Sequence, residues 1–168
     1  MSLSMYQASV PVFTRALGNL SNILDKGVAF AETRKIEPSV LINSRLAPDM
    51  LPLSKQVQIA TDMAMRGSAR LAGVDFTNMP DTETSFAELQ ARLSKTVAFV
   101  KSLTASQIDG SEAKSITIKV GPGEMTFTGQ DYLLNFVLPN LFFHVTAAYL
   151  ILRHNGVELG KMDFLGGV

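Results

Sequence analysis

The chain has 168 residues, of which 46% are hydrophobic and 18% charged, and its 15 basic residues balance 15 acidic ones. This length suits a single domain, residues 1–168, and the zero net charge excludes a long-range field that attracts nucleic acid or acidic membranes. The sequence has no cysteine and two histidines, which excludes disulfides, thiolate chemistry and a three-histidine metal site within one chain. We therefore expect a cytoplasmic globular protein with no nucleic-acid or membrane partner.

Apolar residues at steps of three and four predict a first helix from about Met5 to about Ala31. Its apolar stripe consists of Phe13, Leu17, Leu20, Leu24 and Val28. Pro11 lies inside this helix and has no backbone N–H, so we expect a kink or a late helix start near it.

A second helix is predicted from Asp49, a good N-cap, to a stop at Gly73, with Pro52 tolerated in its first turn. Its stripe consists of Leu53, Val57, Ala60, Ala64, Gly67 and Leu71. The small residues in the middle of this stripe predict that another helix approaches closely. Just before the helix, we expect an ion pair between Arg45 and Asp49. The alternative is that this segment forms one wall of a cleft.

A third helix begins with the capping box of Ser85 and Glu88 and ends near Leu103. After it, the apolar period changes from about 3.6 to two, which predicts a small β-hairpin. The hairpin consists of residues 116–120, a turn at residues 121–123 and residues 125–127. Because an isolated hairpin is marginally stable, we expect its apolar face to pack on the helices.

A fourth helix begins at Thr128, with Asp131 three residues later, and ends at Asn155-Gly156. Residues 132–152 carry no formal charge over 21 positions, which is long enough to span a membrane. The polar groups in this stretch would be costly against lipid, so we expect a core helix of a soluble protein that its neighbours bury. The C-terminal run after Gly156 is too short and too rich in glycine to predict another helix.

Four amphipathic helices of about 20–27 residues predict an all-α fold, an antiparallel four-helix bundle with a small β-hairpin between the third and fourth helices. A bundle is the simplest way to bury every apolar stripe. The connections between the first and second helices and between the third and fourth are long, which leaves room for crossovers.

Asn140 and His144 on the fourth helix are the most suggestive polar pair. Their spacing of four places both on one helical face, with Cβ atoms about 5–6 Å apart and apolar neighbours. Burying either group without a partner costs about 1–3 kcal/mol. Asp62 on the second helix is the natural partner, with Gln58 one turn earlier. Such a set either holds a divalent metal ion or forms a hydrogen-bonded cluster that fixes the helix register.

Two stretches of the sequence carry a family resemblance. They are RLAPDMLPLSKQVQIATDMA, residues 45–64, and LPNLFFHVTAAYLILRHNGVELGKMDFLG, residues 138–166. Over nearly the whole chain, the sequence resembles an uncharacterised bacterial domain-of-unknown-function family of the DinB/YfiT-like superfamily. The resemblance implies a four-helix bundle and often a homodimer.

The resemblance also implies a metal centre with which this chain can be compared. Characterised members of the wider superfamily carry three metal-binding histidines, one on the second helix and an HxxxH pair on the fourth, and some are thiol-dependent transferases. Here Asn140-xxx-His144 matches the HxxxH pair with an amide in its first position. On the second helix, Gln56, Gln58 or Asp62 would have to replace the histidine.

Three functions remain open at this point. In the first, Asn140, His144, Asp62 and Gln58 bind a small ligand or a partner in a dimeric, non-catalytic bundle. In the second, the protein is a metal-dependent transferase- or hydrolase-type enzyme, in which His144 and Asp62 hold a divalent metal, or His144 acts as a general base that Asp62 orients. In the third, the polar cluster only sets the register of a structural or interaction protein.

Overall fold

The computed structural model describes residues 3–167 of the chain. Its elements are α1 (Met5–Arg34), α2 (Pro38–Ile42), α3 (Leu53–Ala72), α4 (Phe86–Ser102), α5 (Ala105–Ile108), β1 (Ser115–Val120), β2 (Gly123–Thr128), α6 (Gly129–Asp131), a π-helical turn (Tyr132–Val137), α7 (Leu138–His154) and α8 (Lys161–Leu165). The four long helices correspond to the four that the apolar stripes predict.

The four long helices form a bundle around one core. α1 and α3 each pack mainly against α4 and α7, so α1 and α3 lie at opposite corners of the bundle. This arrangement confirms the predicted all-α four-helix bundle. The two long connections, which left room for crossovers, are crossovers, because one joins α1 to α3 and the other joins α4 to α7 across the diagonals.

α3 and α7 run in opposite directions and lie close together. Gln56 contacts His144 near one end of the pair, and Gly67 faces Val137 further along. A Cβ atom added to Gly67 would lie 2.6 Å from Cγ1 of Val137, so only glycine permits this spacing of the two backbones. The close approach predicted from the small residues of the second stripe is confirmed.

One of the predicted helix starts differs from the structure. α1 begins at Met5 as predicted, with a capping box between Ser4 and Gln7, and Pro11 lies inside it, so the alternative of a late start near Pro11 is wrong. α3 begins at Leu53 and not near Asp49, because Pro52 has an extended backbone and occupies the N-cap. The third predicted start is confirmed, since α4 has the expected capping box at its N-terminus.

The segment before α3 also differs from the first expectation. Arg45 donates a hydrogen bond to the carbonyl of Met50 at 2.8 Å, and it forms no ion pair with Asp49 among the described residues. A turn is closed by the Met50 N–H and the carbonyl of Ala47. This turn directs the segment over α7, where it forms a wall of the groove described below.

The hairpin forms as predicted, with β1 and β2 antiparallel. Ile116 and Ile118 are buried, whereas Val120 and Met125 near the turn are exposed, so the expected packing of the apolar face on the helices holds only for the end of the hairpin away from the turn. The chain ends differently from the prediction, because the glycine-rich run contains the short helix α8. This helix packs on α1, where Asp163 accepts the N–H of Gly160 and forms an ion pair with Lys26.

The fourth long helix runs from Gly129 to His154 and contains a π-helical turn just before Pro139. In the described part of the chain it is the one helix whose length and composition would allow it to cross a membrane. Its inner side packs against α1 and α3, whereas Phe142, Phe143 and Leu150 are exposed. The prediction that neighbours bury this helix therefore holds for one side only.

Candidate functional site

His144 lies in the interface between α7 and α3, with 9% of its surface exposed. Its Nδ1 atom is 2.7 Å from Oε1 of Gln56, and the Nε2 amide of Gln56 donates to the carbonyl of Leu51 at 2.9 Å. Gln56 is itself buried, so a single amide connects the imidazole on α7 to the backbone just before α3. The spacing argument favoured Asp62 as the partner of His144, whereas Gln56 is one of the three residues that the resemblance offered in place of the histidine.

These two hydrogen bonds fix which nitrogen of His144 carries the proton. The Gln56 oxygen is only an acceptor, so Nδ1 must be the donor. Burial lowers the pKa of His144 below its ordinary value of 6.5, which favours the neutral ring at neutral pH. In the neutral ring the Nε2 atom is then unprotonated and accepts hydrogen bonds. Among the described residues Nε2 has no partner, and it is not one of the fully enclosed unpartnered atoms.

Asn140 lies one helical turn before His144, in the half-buried position expected from the spacing. Its Nδ2 atom donates to the carbonyl of Phe136 at 2.6 Å. Pro139 has no N–H to donate within the helix, and the π-helical turn directly precedes it. The amide of Asn140 therefore supports the backbone of an irregular turn, and its Oδ1 atom remains available as an acceptor.

An apolar groove of about 320 Å³ runs beside His144. It is lined by Leu46, Met50, Pro139, Phe142, Phe143, Thr146, Ala147 and Leu150. The first two come from the segment before α3, which confirms the alternative that this segment is a wall of a cleft. The ring of Phe143 meets the imidazole of His144 edge to face, with centroids 5.2 Å apart, so the groove adjoins the histidine.

Asp62 and Gln58 lie elsewhere, and their predicted contact with His144 is wrong. Asp62 forms ion pairs with Arg66 and Arg92, each at 2.8 Å, and Gln58 donates to Glu83 at 2.8 Å. The reason is helical geometry. At 3.6 residues per turn, a residue six positions after Gln56 points about 120° away from it.

Sequence reasoning missed the centre of this second cluster, Arg92 on α4. Its side chain is almost fully buried and makes ion pairs of 2.8 Å, 3.1 Å and 3.0 Å with Asp62, Asp81 and Glu83. Burial raises the pKa of Asp62, although the two neighbouring arginines lower it. A usable signal was present, because Arg92 is three residues after Leu89 and therefore lies near the apolar stripe of its helix.

The residues at the predicted metal position do not fit a divalent transition metal. Nδ1 of His144 is bonded to Gln56, the amide of Asn140 is bonded to its own helix, and Asp62 is paired with arginine. Between residues 3 and 167, no three His, Cys, Asp or Glu side chains come together in a way that would hold a metal ion. One imidazole with two neutral amides is a weak donor set for zinc or nickel.

Comparison with known proteins agrees with this fold. Residues 5–165 match the family described as domain of unknown function (DUF1993). The chain belongs to the DUF1993 family. A crystal structure of a DinB family member protein from Shewanella denitrificans is 41% identical, with a TM-score of 0.87, and the match covers 97% of this chain and 92% of that one. No curated protein matches the chain. This DUF1993 chain is therefore a DinB-like helical protein, as the resemblance implied.

Proposed function

We propose that this DUF1993 protein is a non-catalytic binding protein, and that its ligand lies in the apolar groove beside His144. The observation that carries the proposal is the orientation of His144. Gln56 occupies Nδ1, which leaves Nε2 as an unprotonated acceptor. Phe143, which lines the groove, contacts the imidazole edge to face. The groove volume of about 320 Å³ lies in the usual range for small-molecule sites.

The chemistry of the groove defines the class of ligand. Its lining is almost wholly apolar. The polar atom that we propose reaches the ligand is Nε2 of His144, which accepts a hydrogen bond. A complementary ligand carries an apolar body and a single hydroxyl or N–H donor, and it carries no charge. Such a molecule buries its apolar part against Phe142 and Phe143 and donates to the imidazole.

The metal-dependent enzyme is the weaker alternative. The second long helix, α3, has no histidine, and the amide of Gln56 on this helix is already bonded to His144. We therefore expect protein that is purified without chelator to contain no stoichiometric zinc or nickel. Elemental analysis checks this, and one equivalent of metal that disappears in His144→Ala would favour the enzyme.

A matched pair of ligands tests the binding proposal directly. We expect 4-ethylphenol to raise the melting temperature of the protein more than 4-ethylanisole, its methyl ether, which lacks the donor. In His144→Gln, which keeps a donor for Gln56 but displaces the acceptor, the preference for the phenol should disappear. His154→Gln, at the exposed end of the same helix, is the control and should keep it. Equal effects of phenol and ether on the wild type would contradict the proposed role of Nε2.

We further propose that a second copy of the chain covers the open side of the groove. Phe143 is 59% exposed and Leu150 is 42% exposed, and both belong to the groove rim. Large apolar side chains that cluster on one exposed helix face are typical of protein interfaces. A homodimer through the outer face of α7 would bury this rim and complete the ligand site. The expected cytoplasmic location fits this proposal and stays a prediction.

A further inference from the structure

A second cavity, on the other side of α3, has the features of an independent binding site. It has a volume of about 480 Å³ and lies between the loop at residues 75–80 and the helices α3 and α4. Its apolar lining comes mainly from Met65, Phe76, Met79 and Phe99. The thioether side chains adapt to ligands of varied shape, and the aromatic rings supply a large apolar contact area. None of these residues belongs to the groove beside His144.

The loop over this cavity is held at its ends and not along its length. Residues 75–83 form no backbone–backbone hydrogen bond within the described chain. The guanidinium of Arg70 lies 5.8 Å from the ring centroid of Phe76, and Arg92 donates to the carbonyl of Pro80 at 3.0 Å. A loop anchored in this way moves at low cost, so it can admit and then cover a ligand.

Two charged side chains that line the cavity have no ion-pair partner among the described residues. They are Asp75 at the start of the loop and Lys95 on α4. The nearby acids are already occupied, because Asp81 and Glu83 pair with Arg92, and Glu88 caps α4. Within residues 3–167, the cavity is therefore lined by a cation and an anion without ion-pair partners, together with apolar side chains.

We propose that this cavity binds a small zwitterion with an apolar side chain, such as an apolar amino acid. Lys95 pairs with the carboxylate of the ligand and Asp75 with its ammonium group. The apolar side chain of the ligand contacts Met65 and Phe99. A simple carboxylate would lack a partner for Asp75, and a simple amine would lack one for Lys95. The proposal does not depend on the function proposed for His144.

Phenylalanine and its two truncated analogues test the proposal by thermal shift and calorimetry. We expect L-phenylalanine to raise the melting temperature, and 3-phenylpropionate and 2-phenylethylamine to have much smaller effects. Lys95→Met and Asp75→Asn should each raise the Kd for phenylalanine about tenfold, the usual effect of losing a charge-assisted hydrogen bond. Both residues are exposed, so the fold is retained, which circular dichroism checks.

Lys101→Met on the same helix is the control, because Lys101 is exposed and does not line the cavity. It should bind phenylalanine as the wild type does. The proposal is overturned by an absence of any shift with phenylalanine, by an equal shift with 3-phenylpropionate, or by equal losses in the lysine variant and its control. His144→Gln should leave phenylalanine binding unchanged. A loss there would place the ligand beside His144 and would also overturn the proposal.

Discussion

At the scale of single residues, the protonation of His144 leads to a prediction about how the free energy of unfolding depends on pH. Burial lowers the pKa of this imidazole in the folded state, so near pH 6.5 the unfolded chain binds more protons than the folded one. The contribution of His144 is therefore fully present above the ordinary pKa of 6.5 and is lost as the pH falls below it.

We expect the free energy of unfolding to fall between about pH 7.5 and about pH 5.5, and to fall less in His144→Gln. Urea unfolding at the two pH values measures both slopes. His154→Gln serves as the exposed control and should keep the slope of the wild type. A variant at position 144 with an unchanged slope would mean that the buried imidazole is not kept neutral.

The buried ion pairs of Arg92 lead to a second prediction at the scale of single residues. Its guanidinium is the shared partner of Asp62, Asp81 and Glu83, and its side chain is only 1% exposed. In Arg92→Met these carboxylates lose their buried counterion, so we expect the free energy of unfolding to fall by about 3–5 kcal/mol. Arg66→Met, at the exposed edge of the same cluster, should cost about 1 kcal/mol or less. Urea denaturation compares the two, and equal losses would contradict the central position of Arg92.

Among these residues, the sequence allowed the pair Asn140 and His144 to be predicted, but it did not decide which of Gln56, Gln58 and Asp62 is the partner of the histidine. The choice between Gln56 and Asp62 depends on how α3 is rotated against α7. Gln56 and Gly67 are eleven residues apart, about three helical turns, so both lie on the face of α3 that meets α7. The stripe of small residues therefore indicated which face of α3 meets α7. The prediction instead chose Asp62 because of its carboxylate.

At the scale of elements, the close contact between α3 and the π-helical turn leads to a third prediction, which concerns Gly67. Alanine in place of glycine usually stabilises a helix by about 1 kcal/mol. At Gly67 the added methyl would meet Val137 at 2.6 Å, so Gly67→Ala should instead lower the free energy of unfolding by about 1–3 kcal/mol.

Gly18 on α1 provides the matched control, because a Cβ atom there would have no neighbour within 4 Å. Gly18→Ala should raise the free energy of unfolding by about 0.5–1 kcal/mol. Thermal and urea unfolding of the two variants measure the difference. Stabilisation by both substitutions would show that α3 and α7 do not pack as closely as described.

The long helices were predictable because each buries a stripe whose period is local in the sequence. The ends of the elements were harder to predict from the sequence, because they depend on contacts between distant segments. α8 is an example, because its formation accompanies the ion pair between Asp163 and Lys26 of α1. The π-helical turn is another, since Pro139 signals a missing hydrogen bond but does not specify how the backbone compensates.

At the scale of the whole molecule, the exposed rim of the groove makes the fourth prediction. If a second copy covers this rim, a charge placed in it will separate the two copies. We expect the wild type to be a dimer by light scattering after size exclusion, and Phe143→Glu to be a folded monomer. Met125→Glu, on the hairpin and 45% exposed, is the control and should stay dimeric. A wild-type monomer would contradict the homodimer and leave the groove open to solvent.

The proposed binding site depends most on the protonation and tautomer of His144. Nitrogen-15 NMR of labelled histidine measures both at neutral pH. We expect a neutral ring with the proton on Nδ1, and an Nε2 resonance that shifts when 4-ethylphenol is added but not when 4-ethylanisole is added. A ring protonated on Nε2, or an imidazolium, would contradict the proposed site, because His144 would then present a donor where the proposed ligand requires an acceptor.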